Sequence, residues 1–242
     1  PIYKKLRGPL LPESRWPQMK KQLAKVKPAR REKAVYSDID LWMTGAYLEA
    51  CLKKPLLEMW ADVHERLDLK DIHFHPANKP IHFFSVSATT ENCPWRGEVL
   101  RGEVHDENCW ALGGVAPHAG LFGDISSVSD WGLKLRAAWL GDFSGFGSER
   151  MVRHFTGRRL PRAIGDWGLC FMKPSRPKAS CGRYFSVSSF GHTGFTGTSL
   201  WFDPKQDLLV VILSNRVHPT RENSQFVQLR PQIHDWICES LS

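Results

Sequence analysis

The sequence predicts an α+β fold, and three observations predict it. Helix-period segments fill the middle of the chain, short strand-like runs joined by turn residues fill the last third, and an amphipathic segment closes it. With 242 residues, 42% hydrophobic and 24% charged, the chain has the composition of a globular protein large enough to bury a full core. No apolar run is long enough to span a membrane, and the chain opens on Pro1, so its compartment cannot be read from its front end.

The elements follow in order. Residues 1–35 are rich in Pro, Lys and Arg and read as a basic surface excursion, with a short helix across Met19–Val26. Much of the net charge of +8 sits there, on Lys4, Lys5, Arg7, Arg15, Lys20, Lys21, Lys25, Lys27, Arg30, Arg31 and Lys33. Aromatics do not interleave with these bases as a nucleic-acid stacking platform requires, so a solvated surface is the better reading and no specific nucleic-acid partner is expected. From Tyr36 the apolar residues Ile39, Leu41, Trp42, Met43, Ala46, Tyr47 and Ala50 recur at helical spacing, with Ser37 or Asp38 as N-cap. A second helix is predicted over 55–67, with Pro55 in its first turn.

Residues 70–104 read as irregular, with Pro76, Pro80 and Pro94 between apolar fragments such as IHFFSVS. A Gly-rich loop then leads to a helix predicted to start at Ser126 or Ser127, where Ser127 and Asp130 resemble a capping box. A further helix is predicted over 148–155. The runs WGLCFM, SLWFD and DLLVVILS read as strands, the last two joined by a tight turn at Asp203–Asp207, and Phe226–Leu241 reads as the closing helix despite Pro231. Six cysteines lie far apart with no CxxC pair, which excludes a zinc ribbon and a thioredoxin motif and leaves small buried thiols.

The candidate chemistry lies in GHTGFTGTSLWFDP, residues 191–204. A His-Thr-Gly triplet on a strand lets a ligand approach the backbone at Gly194, where an N–H can face a developing oxyanion while His192 and Thr193 hold a carboxylate or carbonyl. His105, Asp106 and His118 could be combined with His73 and His75 as a metal set. No helical two-His spacing supports it, Pro76 and Pro117 interrupt the backbone, and loop-stabilising hydrogen bonds are the better reading, so no metal and no cofactor is expected.

Three collinear blocks carry a family resemblance: Tyr36-Ser37-Asp38 at a helix start, VHDENCWALGGVAPHAGLF at 104–122, and GHTGFTGTSLWFDP with LSNRVHPTREN at 213–223. Together they resemble the serine beta-lactamase and penicillin-binding-protein superfamily, in particular its class C beta-lactamase, DD-peptidase and esterase-like branch. The resemblance implies a beta-lactamase/transpeptidase-like fold, an antiparallel sheet with the terminal helix on one face and a helical region on the other. It implies hydrolysis of a beta-lactam, D-alanyl peptide or ester through an acyl-enzyme. Tyr36 would be the general base or acid and Asp38 a substrate contact. His192, Thr193 and Gly194 would bind the substrate carboxylate, and the Phe195 N–H would form half of the oxyanion hole, facing Tyr36 across a shared cleft.

The resemblance lacks its nucleophile. The one Ser-x-x-Lys match, Ser175-Arg176-Pro177-Lys178, has a proline where a helical turn must bring serine and lysine together, and it falls just before the His-Thr-Gly strand rather than upstream of Tyr36. No Gly-x-Ser-x-Gly elbow replaces it. The expectation is one partial domain over 1–242, with 36–242 matching the family, that lacks the N-terminal strands and the nucleophile helix. Its expected partners are a small-molecule or peptidoglycan-like substrate and either a complementing N-terminal fragment or a second copy. The alternative is a non-catalytic remnant or ligand-binding module.

Overall fold

Helices start here where an oxygen can accept from the orphan N–H groups of a first turn. The computed structural model describes residues 12–27, 32–76 and 87–241. The charges Lys4, Lys5, Arg7, Arg30 and Arg31 and most of the IHFFSVS run lie outside the described residues. The chain divides into two compact units, 1–124 and 125–242.

The first unit holds α1 (Pro12–Leu23), α2 (Asp38–Leu52), α3 (Leu56–Arg66), β1 (Ile72–Phe74), β2 (Thr89–Cys93), β3 (Glu98–Arg101), α4 (Glu107–Ala111) and β4 (Leu121–Gly123). Ser37, not Asp38, caps α2: its Oγ accepts from the Ile39 N–H at 3.3 Å. At α3, Pro55 holds the cap position and the Glu49 carboxylate reaches the Leu56 N–H at 3.0 Å. Within the basic leader, α1 buries Met19 and Leu23 in a cluster with Trp42, Val104, Cys109, Leu112 and Ala116.

The described residues of the 70–104 region are not irregular. β1 pairs antiparallel with β4, and β2 pairs antiparallel with β3 as a hairpin closed by the Gly97 N–H on the Cys93 carbonyl at 2.8 Å. Hydrophobic alternation missed the hairpin because one of its buried positions is a carboxylate. Glu91 is 1% exposed and is matched by His105 Nε2 at 3.0 Å, so a polar residue sits where the pattern looks for an apolar one.

The second unit holds α5 (Ile125–Leu140), α6 (Glu149–Thr156), β5 (Phe190–Thr193), β6 (Ser199–Asp203), β7 (Leu208–Ile212) and α7 (Gln225–Ser240). The three strands form one antiparallel sheet, order β5-β6-β7, with Gly191 opposite Trp201 and Trp201 opposite Val210. Side-chain alternation sorts its two faces. Phe190 and Phe202 pack with Leu135, Ala138 and Val152 of α5 and α6, while Trp201 and Val210 pack with Cys181, Phe185 and Cys238 on the α7 side. Each of these large buried side chains contributes roughly 1.5–3 kcal/mol by leaving water.

Two local expectations in this unit need correction. α5 starts at Ile125, which places Ser127 and Asp130 inside the helix, so they do not form a capping box at its start. WGLCFM is not a strand: Trp167 and Met172 bridge each other around a turn in which Cys170 takes φ 65°, and Met172 bridges on to Gly191. The Asp203–Asp207 turn is as expected, because the Asp203 carboxylate accepts from the Lys205 N–H at 2.9 Å, from Gln206 Nε2 at 2.7 Å and from the N–H and hydroxyl of Ser186, each at 2.6 Å. Four of the six thiols, Cys93, Cys109, Cys181 and Cys238, are buried, whereas Cys51 and Cys170 are exposed. Burial pushes the Cys181 thiol up to about 12, which makes it inert as a nucleophile at neutral pH.

Candidate active site

The predicted site residues fall into two clusters, one in each unit. In the first, Tyr36 lies just ahead of α2, 64% exposed, and Asp38 is the first residue of that helix. Asp38 Oδ2 accepts from Asn108 Nδ2 at 3.3 Å and lies 3.9 Å from His118 Nε2. Asp106 N-caps α4, with Oδ1 accepting from the Cys109 N–H at 2.7 Å and from His118 Nε2 at 3.0 Å.

The tautomer of His118 follows from its other neighbour. Buried Trp42 places its indole Nε1–H 2.9 Å from His118 Nδ1, and an indole N–H can only donate. Nδ1 is therefore an acceptor and the ring proton sits on Nε2, pointing at Asp106. Ligand atoms of Asp38, Asp106 and His118 lie within 4.8 Å of one another, close enough for a metal set. In this tautomer His118 has no lone pair to offer there: its Nε2–H is hydrogen-bonded to Asp106, and Asp38 stands nearby, held by Asn108. Burial pushes the Asp106 carboxyl up, but the hydrogen bond from His118 and the N–H groups of Cys109 and Asn108 outweigh it and hold the carboxyl below its ordinary value.

The same carboxylates act on the phenol. Partial burial of Tyr36 raises its pKa, and the charges of Asp38 and Asp106 raise it further. In this environment Tyr36 keeps its proton at neutral pH and is a hydrogen-bond donor or acid.

Replacing Trp42 with Phe removes the donor that fixes the tautomer. We expect a loss of about 1–2 kcal/mol in urea unfolding. The His118 ring 15N shifts should move from a pure Nε2–H pattern toward a tautomer mixture, and unchanged shifts would show that Trp42 does not set the proton.

In the second unit, β5 carries His192 and Thr193, with Gly194 and Phe195 just beyond it. His192 Nδ1 donates to the Thr193 carbonyl at 2.9 Å, which leaves Nε2 as the acceptor nitrogen. Burial pushes its pKa down, only partly opposed by that hydrogen bond, so the imidazole is neutral at pH 7. The turn after β5 is laced by Gly194 N–H to the Thr198 carbonyl at 2.7 Å and Gly197 N–H to the Gly194 carbonyl at 3.1 Å.

Sequence reasoning missed the charges around this turn. Arg216 donates from Nε to the Phe195 carbonyl at 2.7 Å and from Nη1 to the Asn223 carbonyl at 2.9 Å, and its guanidinium lies 4.5 Å from the Phe195 ring centroid. Arg221 lies 6.0 Å from the same ring, and Arg230 of α7 reaches the Gly194 carbonyl at 3.4 Å. With His192 neutral, these guanidiniums supply the positive charge beside the His-Thr-Gly strand. Arg230 had a signal: it breaks the apolar face of α7 at the spacing 230, 234, 238 that turns out to be the buried stripe.

The second unit's antiparallel sheet, flanked by helices on both faces, is the arrangement of a transpeptidase-like fold. The Beta-lactamase family model matches residues 3–230, and the chain belongs to the beta-lactamase family. A putative D-alanyl-D-alanine carboxypeptidase of Salmonella gallinarum is 31% identical over 201 residues, 78% of this chain and 46% of that protein. The chain thus spans about half the length of the curated relatives it matches. Among solved structures, a beta-lactamase from Mycobacterium bovis aligns with TM-score 0.60 at 17% identity, covering 86% of this chain and 65% of that one. A penicillin-binding protein from Bacillus halodurans aligns with TM-score 0.55 at 13% identity, covering 84% and 58%. The fold is the α+β beta-lactamase/transpeptidase-like fold. Among the described residues no helix is long and apolar enough to cross a membrane.

Proposed function

We propose that this chain carries the tyrosine and His-Thr-Gly parts of a serine hydrolase acting on beta-lactam, D-alanyl peptide or small ester substrates through an acyl-enzyme. The nucleophilic serine and its lysine come from outside these 242 residues. The observation that carries the reading is the electrostatics of the His-Thr-Gly turn: a neutral imidazole and a threonine hydroxyl on β5, bordered by Arg216, Arg221 and Arg230. That combination suits a substrate with a free carboxylate, held by charge from the arginines and oriented by His192 and Thr193. In this reading Gly194 leaves room for the acyl group, the Phe195 N–H faces its oxyanion, Tyr36 moves the proton and Asp38 contacts the leaving part of the substrate. Residues 36–242 act as one partial domain of the family.

The test is acylation. Exposure to a fluorophosphonate or a penicillin should leave no stoichiometric adduct on any serine of this chain. Mixing with a polypeptide that carries the Ser-x-x-Lys helix and its preceding strands should give an adduct on that serine, together with hydrolysis. In the mixed protein Thr193→Ala should lower kcat/KM by about 100-fold. A stoichiometric adduct on Ser175, or on any serine of this chain, overturns the proposal.

A second reading, a ligand-binding module without turnover, is favoured by the phenol. Its pKa is raised by partial burial and then by Asp38 and Asp106, the opposite of what a catalytic base needs. Equilibrium binding of a penicillin with no hydrolysis after the second polypeptide is supplied would decide for it.

A further inference from the structure

Independently of acyl transfer, the layer between α7 and the sheet holds a set of polar groups that its own side chains do not satisfy. α7 turns Arg230, His234 and Cys238 inward, and β6 turns Ser199 and Trp201 toward the same layer. Arg230 is 5% exposed, His234 0%, Ser199 4% and Trp201 0%. Within it, Arg230 Nε, both ring nitrogens of His234, Ser199 Oγ and Trp201 Nε1 are buried without a hydrogen-bond partner.

These groups run in step. Arg230 Nη2 meets the Gly194 carbonyl at the end of β5 where Thr193 pairs with Ser199, and Cys238 packs in the cluster that contains Trp201 and Val210. α7 therefore runs along β6 from its Ser199 end. Arg230 to His234 is one helical turn, about 6 Å, and Ser199 to Trp201 is two strand residues, about 6–7 Å. The two pairs therefore have matching spacing along the same direction.

The chemistry of the set is unbalanced toward donation. Arg230 Nε–H and Trp201 Nε1–H can only donate, the Ser199 hydroxyl does both, and a neutral imidazole gives one donor and one acceptor. The guanidinium is also a buried cation. Among the described residues no carboxylate forms an ion pair with Arg230 or Arg216, and burial and then the like charge of Arg216 both act against the charge on Arg230. The guanidinium has the Gly194 carbonyl at 3.4 Å and the Phe226 ring centroid at 5.3 Å as neighbours, and a buried cation with no counter-ion is costly for a core to hold. Water would satisfy the donors but not the charge.

We propose that this layer binds a small monovalent inorganic anion of the halide class, held by Arg230 and Trp201 with Ser199 and His234 completing its shell. The site lies behind the Gly194 carbonyl, on the α7 side of the strand that carries His192 and Thr193.

Chloride is the probe. Excess 35Cl linewidth measured on the full chain should show a saturable component that bromide displaces. Arg230→Met should abolish that component, Trp201→Phe should weaken its apparent affinity several-fold, and Arg183→Gln, which changes an exposed guanidinium, should leave it intact. At fixed ionic strength, the unfolding temperature should rise when isethionate is exchanged for chloride, and this rise should be absent in Arg230→Met. Linewidth that does not saturate, or a saturable component equally present in Arg230→Met and Trp201→Phe, overturns the proposal. If Arg230→Met does not fold, the conservative Trp201→Phe and Ser199→Ala carry the same test, and unaltered chloride affinity in both overturns it.

Discussion

Replacing Gly191 with alanine should lower the stability of the protein by about 3 kcal/mol, while the same change at Gly194, three residues away, should cost about 1 kcal/mol or less. A Cβ at position 191 would lie 2.2 Å from the Leu200 carbonyl oxygen, 2.7 Å from Trp201 Cδ2 and 2.8 Å from Trp201 Cα. None of these atoms can step aside. The first is a backbone oxygen of the central strand, and the others belong to a tryptophan that is 0% exposed. Gly191 is also gripped from its other side, where it exchanges hydrogen bonds with Met172 at 2.8 and 3.2 Å.

At Gly194 the new methyl would meet Thr198 Oγ1 at 2.1 Å, but that hydroxyl ends a rotatable, half-buried side chain. Urea midpoints of the two variants, read by tryptophan fluorescence, give the comparison. A loss at Gly191 no larger than at Gly194 would show that β5 can slide away from β6. Against typical stabilities of about 5–15 kcal/mol, the Gly191 loss is a large fraction. It acts on the strand that positions His192 and Thr193, so the clash reaches the candidate site as well as the core.

Which parts of the molecule could be read from sequence depends on whether burial and hydrophobicity coincide. β6 and β7 were legible because SLWFD and LLVVI are apolar and bracketed by a turn that Asp203 closes with its own carboxylate. α2, α3, α6 and α7 were legible from their spacing and caps, with Ser37 and Ser148 each accepting from a first-turn N–H. β2 and β3 were not, because TTENC places the charged Glu91 inward against His105, and no scale of hydrophobicity registers a carboxylate as core.

The candidate site divides in the same way. His192, Thr193 and Gly194 are contiguous, so a motif finds them. The Asp38, Asp106 and His118 cluster is assembled from three separate stretches of chain, with His118 hydrogen-bonded to Asp106 and Asp38 held beside them by Asn108, and Asp106 and His118 read only as loop residues. Arg230 shares the 230, 234, 238 spacing of the buried stripe, but an arginine in an amphipathic helix is expected to face water, and that expectation outweighs the spacing.

The buried imidazole of α7 should dominate the acid limb of the stability profile. Burial and then the Arg230 charge, against a weaker opposing pull from Asp235, push the His234 pKa down to about 4. In the unfolded chain it titrates near its ordinary value of about 6.5. Between those values the unfolded state binds the proton and the folded state does not, so unfolding is favoured as the pH falls. The stability associated with neutral His234 is complete above about 6.5 and is lost progressively down to about 4, roughly 3 kcal/mol in all. His73 and His192, also pushed down by burial, add to the slope in the same direction. The depressed carboxylates Asp106 and Asp203 act lower, below the ordinary carboxyl value of 3.8.

His234→Gln should therefore flatten the fall between pH 6.5 and 4 while leaving the steeper loss below it. Unfolding free energies from urea melts across that range, in halide-free buffer so that anion binding does not shift the imidazole, provide the measurement. An unchanged slope in the variant would mean that His234 is protonated in the folded protein. A buried imidazolium beside Arg230 would then need a counter-charge of its own in the α7 layer.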